Sequence, residues 1–279
     1  MNGLLLIENR WNTTRNGSMS SLKSRFLKLS LLTACFAVCA FLRSQNGVDS
    51  KVPYYFGFQV KPLFPTKFIG ESSSTMLNQG YQVKISQQVG YSFGGVVRIA
   101  LTDLIGIETG LNFFQRYYKL DMFLVDSNIT ASDNFGFIQY DLPINALFNI
   151  KLSKKWFSNA AIGASICYKP SSVGSISHPV GKHEFFNIGL VDIKDKVNFD
   201  LNGSVGFEFR TDKYGFFYLG GCARIQTAPI FNLLSRYRYG TYEVDNYGPV
   251  GGSFLAIELK YFIPNTGGNG QNFERGPIE

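Results

Sequence analysis

The side chains that could do chemistry in this 279-residue chain are thinly spread. Nine charged residues sit singly among apolar neighbours: Lys61, Arg98, Glu108, Asp141, Asp200, Glu208, Arg224, Glu258 and Lys260. If they share an interior they must pair and hydrogen-bond, because an unpaired buried charge is very costly. Such a set is either an ion-pair network that fills the interior or a narrow polar conduit or proton path. The structural network is the expectation. His178 and His183, with Glu184 beside the second, have ligand chemistry, but loop histidines are usually solvated and no metal site is expected. Arg236, Tyr237, Arg238 and Tyr239 mix cations with aromatics, a composition that suits phosphate groups or a protein partner. A solvated loop top is the plainer reading. No Gly-x-Ser-x-Gly elbow, phosphate loop or dinucleotide fingerprint occurs. No serine or histidine stands with a partner base. Catalytic residues, cofactors and enzyme activity are therefore not expected.

The elements that must position these charges are strands. Residues 136–150 set the pattern: Ile138, Tyr140, Leu142, Ile144, Ala146, Phe148 and Ile150 alternate with Gln139, Asp141, Pro143, Asn145 and Asn149, and Leu147 alone departs. A period of two gives one greasy face and one wet face. The stretch is long for an ordinary strand of about 5–6 residues. It is long enough to cross a bilayer, for which a tilted barrel strand needs about 9–11. Abundant Gly (29), Phe (26) and Tyr (15) point the same way, to all-β structure.

Eight such strands are expected, at about 54–63, 89–101, 104–119, 135–150, 155–168, 196–210, 216–227 and 252–263. Their apolar faces carry no Asp, Glu, Lys or Arg at the strand centres. A Lys or Arg facing lipid at mid-depth costs about 2–4 kcal/mol, so this exclusion has a physical cause. The connections alternate. Long ones fall at 64–88, 120–134, 169–195 and 228–251, and short ones at 102–103, 151–154 and 211–215. Outer-membrane barrels alternate short periplasmic turns with long extracellular loops in this way. Aromatics gather near strand ends, as interfacial girdles would: Trp156, Phe157, Tyr214, Phe216, Tyr261 and Phe262 on the short-turn side, and Tyr91, Tyr117, Tyr118, Phe135 and Tyr168 on the other.

The N-terminal region differs. From Met19, the basic residues Lys23, Arg25 and Lys28 precede an apolar run over 29–42, too short for a membrane helix and suited to a secretory signal over 19–44. Residues 1–18 read as an over-long start. Of the net charge of +7, five units lie before residue 45, from Arg10, Arg15, Lys23, Arg25, Lys28 and Arg43 against Glu8. The remaining body is near neutral and offers no electrostatic case for nucleic acid. Cys167 and Cys222 fall inside expected strands, where they either bridge or pack unpaired in the interior; unpaired packing is expected. The glycine-rich tail, 265–279, reads as disordered.

Four segments carry a family resemblance: Gly106-Ile107-Glu108-Thr109-Gly110-Leu111, Tyr140-x-Leu142-Pro143-Ile144, Asn159-Ala160-Ala161-Ile162-Gly163, and the closing Ile257-Glu258-Leu259-Lys260-Tyr261-Phe262. Over about 53–264 the chain resembles the PorT-like small outer-membrane β-barrels of Bacteroidota. The resemblance implies an eight-stranded antiparallel up-and-down transmembrane β-barrel behind a signal peptide, located in the cell outer membrane. It also fits Pro143, where a local bulge is expected. The namesake's link to protein secretion does not transfer on barrel shape alone. The expected role is structural or interactive, through long extracellular loops around a side-chain-filled lumen. The expected partners are outer-membrane lipid, lipopolysaccharide and an envelope protein. The alternative is a narrow porin-like or secretion-associated transport component.

Overall fold

The computed structural model describes residues 54–177, 182–211 and 214–264. The signal segment, the start before it, the tail and His178 lie outside these residues. Thirteen strands are described: β1 (Tyr54–Pro65), β2 (Ser73–Asn78), β3 (Tyr81–Ala100), β4 (Ile105–Leu124), β5 (Ile129–Lys151), β6 (Trp156–Tyr168), β7 (Val173–Ser177), β8 (His183–Leu190), β9 (Val197–Thr211), β10 (Gly215–Gln226), β11 (Phe231–Tyr239), β12 (Tyr242–Val250) and β13 (Phe254–Phe262). A 3-10 turn, Ile193–Asp195, precedes β9. Eight of the strands hydrogen-bond in the order β1-β13-β10-β9-β6-β5-β4-β3, and β3 returns to β1. Every pairing is antiparallel. The ring is closed, so its wall has no free edge.

The segments expected as long loops are mostly strand. β3, β4 and β5 continue well beyond the expected ends, and β2 adds to β3. A second sheet, β12-β11-β8-β7, forms from the last two long connections. It packs face to face on the upper parts of β3, β4 and β5. Between them lies a core that includes Tyr81, Val83, Ile85, Tyr118, Leu120, Met122, Phe137, Phe185, Phe231, Leu233 and Val244. Phe231 is its hub, with ring centroids 5.1 Å from Tyr118, 5.5 Å from Phe135 and 5.3 Å from Phe137. Side-chain amides close the seam: Asn246 Nδ2 donates to Tyr81 O at 2.8 Å and Asn78 Nδ2 to Asp245 O at 2.7 Å. The structure is thus a ring capped by a two-sheet dome.

Each long strand reverses its polarity where ring becomes dome. The outward face of β5 runs Thr130, Ser132, Asn134 and Gly136, then Ile138, Tyr140, Leu142, Ile144, Ala146, Phe148 and Ile150. Its inward face runs Ile129, Ala131, Asp133, Phe135 and Phe137, then Gln139, Asp141, Pro143, Asn145, Leu147 and Asn149. Likewise β4 turns Glu108, Asn112 and Arg116 inward low down, and Tyr118, Leu120, Met122 and Leu124 inward above. Alternation keeps one phase through both zones, and only the chemistry of the two faces swaps. In β3 the phase itself slips. A bulge between Gln88 and Tyr91 carries burial from odd positions (Tyr81, Val83, Ile85, Gln87) to even ones (Gly90, Ser92, Val96, Arg98).

Two expectations need correction. Pro143 causes no bulge: its strand keeps register with β6, where Pro143 faces Ser165. On the β4 side the ladder skips from Thr109↔Ile144 to Asn112↔Asp141 in unchanged register. There the Thr109 hydroxyl donates to Pro143 O at 2.7 Å, so the proline carbonyl is satisfied by a side chain, while the ladder bond that a proline N–H would donate is missing. Second, several girdle residues point inward. Phe157, Phe216 and Phe262 are buried in the ring, and Tyr118 and Phe135 in the dome. As expected, Cys167 and Cys222 are both free. They face Asn198 and Ser204 of β9, six positions apart, or about 20 Å along a strand, against a disulfide reach of about 7 Å.

Phe231→Ala is expected to cost about 3–5 kcal/mol, confined to the dome. Limited proteolysis should then cut within 170–196 and 227–253, while the ring strands stay protected.

Candidate functional site

All nine charged residues singled out from the sequence point into the ring and are buried. Seven charges form one continuous ladder across β1, β13, β4, β3 and β9. Lys61 meets Glu258 at 2.6 Å, Glu258 meets Lys260 at 3.1 Å, and Lys260 meets Glu108 at 2.5 Å. Glu108 meets Arg98 at 2.9 Å, Arg98 meets Glu208, and Glu208 meets Arg210 at 2.5 Å. The signs alternate throughout, so each buried acid lies between two cations. Asn159 Nδ2 donates a further bond to Glu208 at 2.8 Å. Aromatic rings line the cations: Arg98 sits 4.3 Å from the Phe262 centroid, Arg210 3.8 Å from Phe157, and Lys260 4.8 Å from Tyr218. Glycines make the room. A Cβ at Gly206 would lie 2.7 Å from Tyr218 Cζ.

A second cluster stands nearer the dome. Arg224 pairs with Asp141 at 2.5 Å and donates to Ser165 Oγ at 2.6 Å and to Asn202 Oδ1 at 3.0 Å. The Cys167 thiol donates to Asp200 Oδ2 at 3.1 Å. Between the two clusters is a cavity of about 20 Å³, lined by Lys61, Asn202, Ser204, Cys222, Arg224 and Glu258 among others. That is room for roughly one water. Where ring meets dome, two more cations hold backbone carbonyls. Arg116 Nη1 donates to Gly252 O at 2.5 Å, and Lys169 Nζ donates to Pro229 O at 3.0 Å. These carbonyls belong to the two chain segments that cross the mouth of the ring into and out of the β11–β12 hairpin.

Arg116, Lys169 and Arg210 are members that sequence reasoning missed, because they lie at or beyond the expected strand ends. The signal was present in the phase: Glu108, Asn112 and Arg116 share one face of β4, and Glu208 and Arg210 one face of β9. Of the remaining candidates, His183 Nδ1 lies 2.7 Å from the Tyr237 hydroxyl, and its ring stacks 4.5 Å from Tyr239. Among the described residues, no three His, Cys, Asp or Glu side chains gather as a metal site. The basic–aromatic run 236–239 is divided by the sheet. Tyr237 is buried in the dome, while Arg236 lies outside in a two-pronged pair with Asp245, at 2.7 and 2.8 Å. Arg238 meets Glu243 at 3.4 Å. These arginines are matched by acids of the facing strand and do not form a free cationic patch.

No family model matches the chain, and no curated protein does. Two solved structures share some likeness. One is the β domain of the Bordetella autotransporter BrkA, at 7% identity over 75% of this chain and 98% of that one, with a TM-score of 0.26. The other is a BenF-like porin from Pseudomonas fluorescens Pf-5, at 7% identity over 77% and 99%, with a TM-score of 0.13. At these scores the functional argument rests on the geometry of this chain.

Glu108→Gln removes the acid shared by Arg98 and Lys260. A loss of about 3–5 kcal/mol, typical of a broken buried pair, is expected in guanidinium unfolding of the lipid-reconstituted protein. On the dome, the Arg236 hydrogen bond holds the Asp245 carboxyl below its ordinary value of 3.8. The pair's small, solvent-screened contribution is therefore complete above pH 4 and lost as pH falls through the depressed value. Carboxyl NMR should find the Asp245 midpoint below 3.8 in the native chain and back near it in Arg236→Ala.

Proposed function

We propose that this chain is an eight-stranded transmembrane β-barrel of the bacterial outer membrane, with a filled lumen and a dome that acts on partners outside the cell. The carrying observation is the reversal of faces. In the ring, the apolar side chains point outward and are exposed, among them Phe58, Leu111, Ile144, Ile162, Val205, Phe207, Leu219 and Leu259. The ionised side chains point inward. In the dome the arrangement is that of a water-soluble sandwich. A surface that greasy belongs in hydrocarbon, and a polar wall topped by an apolar core belongs in water. The outward apolar run of β5, from Ile138 to Ile150, climbs about 30 Å at about 3.3 Å per residue and about 40° of tilt. That height matches an apolar band of about 25 Å.

The dome stands on the long-connection side of the ring, which in outer-membrane barrels faces the exterior. Its neutralised outer wall suits contacts made by shape and hydrogen bonding with an envelope or surface partner. The lumen supports a structural role. Eight of its nine sequence-predicted charges stand in ion pairs, the cavity between its two clusters holds about one water, and its mouth is crossed by backbone clamped by Arg116 and Lys169. No step of an enzymatic reaction is assigned to it.

Planar-bilayer recordings of the purified chain should be electrically silent; steady single-channel steps would overturn the filled lumen and favour the narrow transport reading. Leu219→Arg, in the middle of the outward belt, should cost about 2–4 kcal/mol in lipid. Gln82→Arg, on the outer dome wall, should stay within about 0.5 kcal/mol.

A further inference from the structure

The wall of the ring is uneven in height. β1 and β13 stop at Pro65↔Phe254, and β6 and β9 stop at Tyr168↔Val197. By contrast β3, β4 and β5 climb on into the dome. The chain leaving each low rim carries a large apolar side chain that touches almost nothing. Phe68 is 90% exposed and Ile193 is 82% exposed, the two highest values for large apolar residues among the described residues. Both are presented on ordered turns. Phe68 N donates to Thr66 Oγ1 at 3.1 Å. Ile193 opens the 3-10 turn, whose N-terminus is capped by the Asp192 carboxylate at 2.6 Å and which closes with Asp195 N to Asp192 O at 2.9 Å. Lys169 N to Lys196 O, at 2.8 Å, ties that turn to the rim. Each apolar residue also has an exposed lysine beside it, Lys67 and Lys194.

An apolar tip flanked by a long, snorkelling cation suits the boundary between headgroups and acyl chains. The height is right, since Phe68 and Ile193 lie just beyond Phe64 and Val197, the last exposed apolar residues of their strands. Glu71, Asp192 and Asp195 keep each loop near neutral, so apolar insertion, not net charge, supplies the attraction. We infer that Phe68 and Ile193 are lipid anchors that dip into the leaflet on the dome side, with the Lys67 and Lys194 ammonium groups on lipid phosphates. They hold the two low rims at the membrane surface and leave the dome standing clear of it. The inference rests on the transmembrane reading above.

The test uses the full chain with Trp11 and Trp156 replaced by Phe, refolded into vesicles of equal parts phosphatidylcholine and phosphatidylglycerol. Single tryptophans are introduced as Phe68→Trp, Ile193→Trp and, as a belt control, Val205→Trp, near the centre of the outward face of β9. Heat-modifiable gel mobility confirms folding of each. Bromines placed high on the acyl chains should quench both loop tryptophans at least twofold, and bromines near the chain ends should quench Val205→Trp. Unquenched loop tryptophans with a quenched belt would overturn the anchors and leave the barrel intact. An unquenched belt would overturn the transmembrane reading itself, and the anchors with it. Adding Lys67→Gln and Lys194→Gln should weaken quenching at both loops about twofold; unchanged quenching would overturn the phosphate contact.

Discussion

The interior of an eight-stranded ring is narrow, and in this chain it is filled with charge. Everything else follows from how that charge is neutralised. Eight strands leave a lumen only about as wide as the side chains that fill it, so long acids and bases can meet across it. Lys61, Glu258, Lys260, Glu108, Arg98, Glu208 and Arg210 alternate in sign across five strands. Because four of the six contacts join different strands, the ladder also locks the ring's register. The aromatic rings of Phe157, Phe216, Tyr218 and Phe262 fill the space around the cations. Of these, Phe157, Phe216 and Phe262 are expected from the sequence at the membrane surface, and all four serve instead as packing for the guanidinium and ammonium groups.

The second constraint is solvent. The same strands carry two opposite amphipathic patterns, and the proposed membrane setting accounts for both. Below Gly136 in the β5 face, Ile138 to Ile150 turn outward, where on that reading hydrocarbon accepts them, and the polar residues turn inward. Above it, water accepts Thr130, Ser132 and Asn134 outward, and the apolar residues close on the second sheet. A strand can do this without breaking, because backbone hydrogen bonding is indifferent to which face is wet. The junction is where the arrangement is most demanding. There Arg116 and Lys169 hold carbonyls of the crossing segments rather than acids, and the apolar dome core begins one turn of the pleat above.

The ring and the dome divide the labour. The ring is a closed wall with a packed interior whose charges are nearly all paired or hydrogen-bonded, which, on the proposed reading, suits an anchor better than a conduit. The dome offers a water-facing surface built on rigid strands, and rigid strands hold a recognition surface more firmly than loops do. The neutral pairing of Arg236 and Arg238 with Asp245 and Glu243 makes that surface one of shape more than of charge.

Read alone, the residue order was enough for the strands of the wall and for which of their faces was greasy. Alternation at a period of two is a local property, and charge is absent from one phase at the strand centres. The charged residues of the lumen were legible for the same reason, as the opposite phase. The dome was not legible. Val83, Ile85, Leu120, Met122 and Leu233 alternate as clearly as the belt does, but with the apolar face turned the other way. Only the opposing sheet, contributed by residues 173–177, 183–190, 231–239 and 242–250, says which way that is. The bulge in β3, the free spacing of Cys167 and Cys222, and the capture of Arg116 and Lys169 by carbonyls are likewise tertiary facts. Each depends on which strand stands beside which, and closing the ring decides that through contacts between residues tens of positions apart.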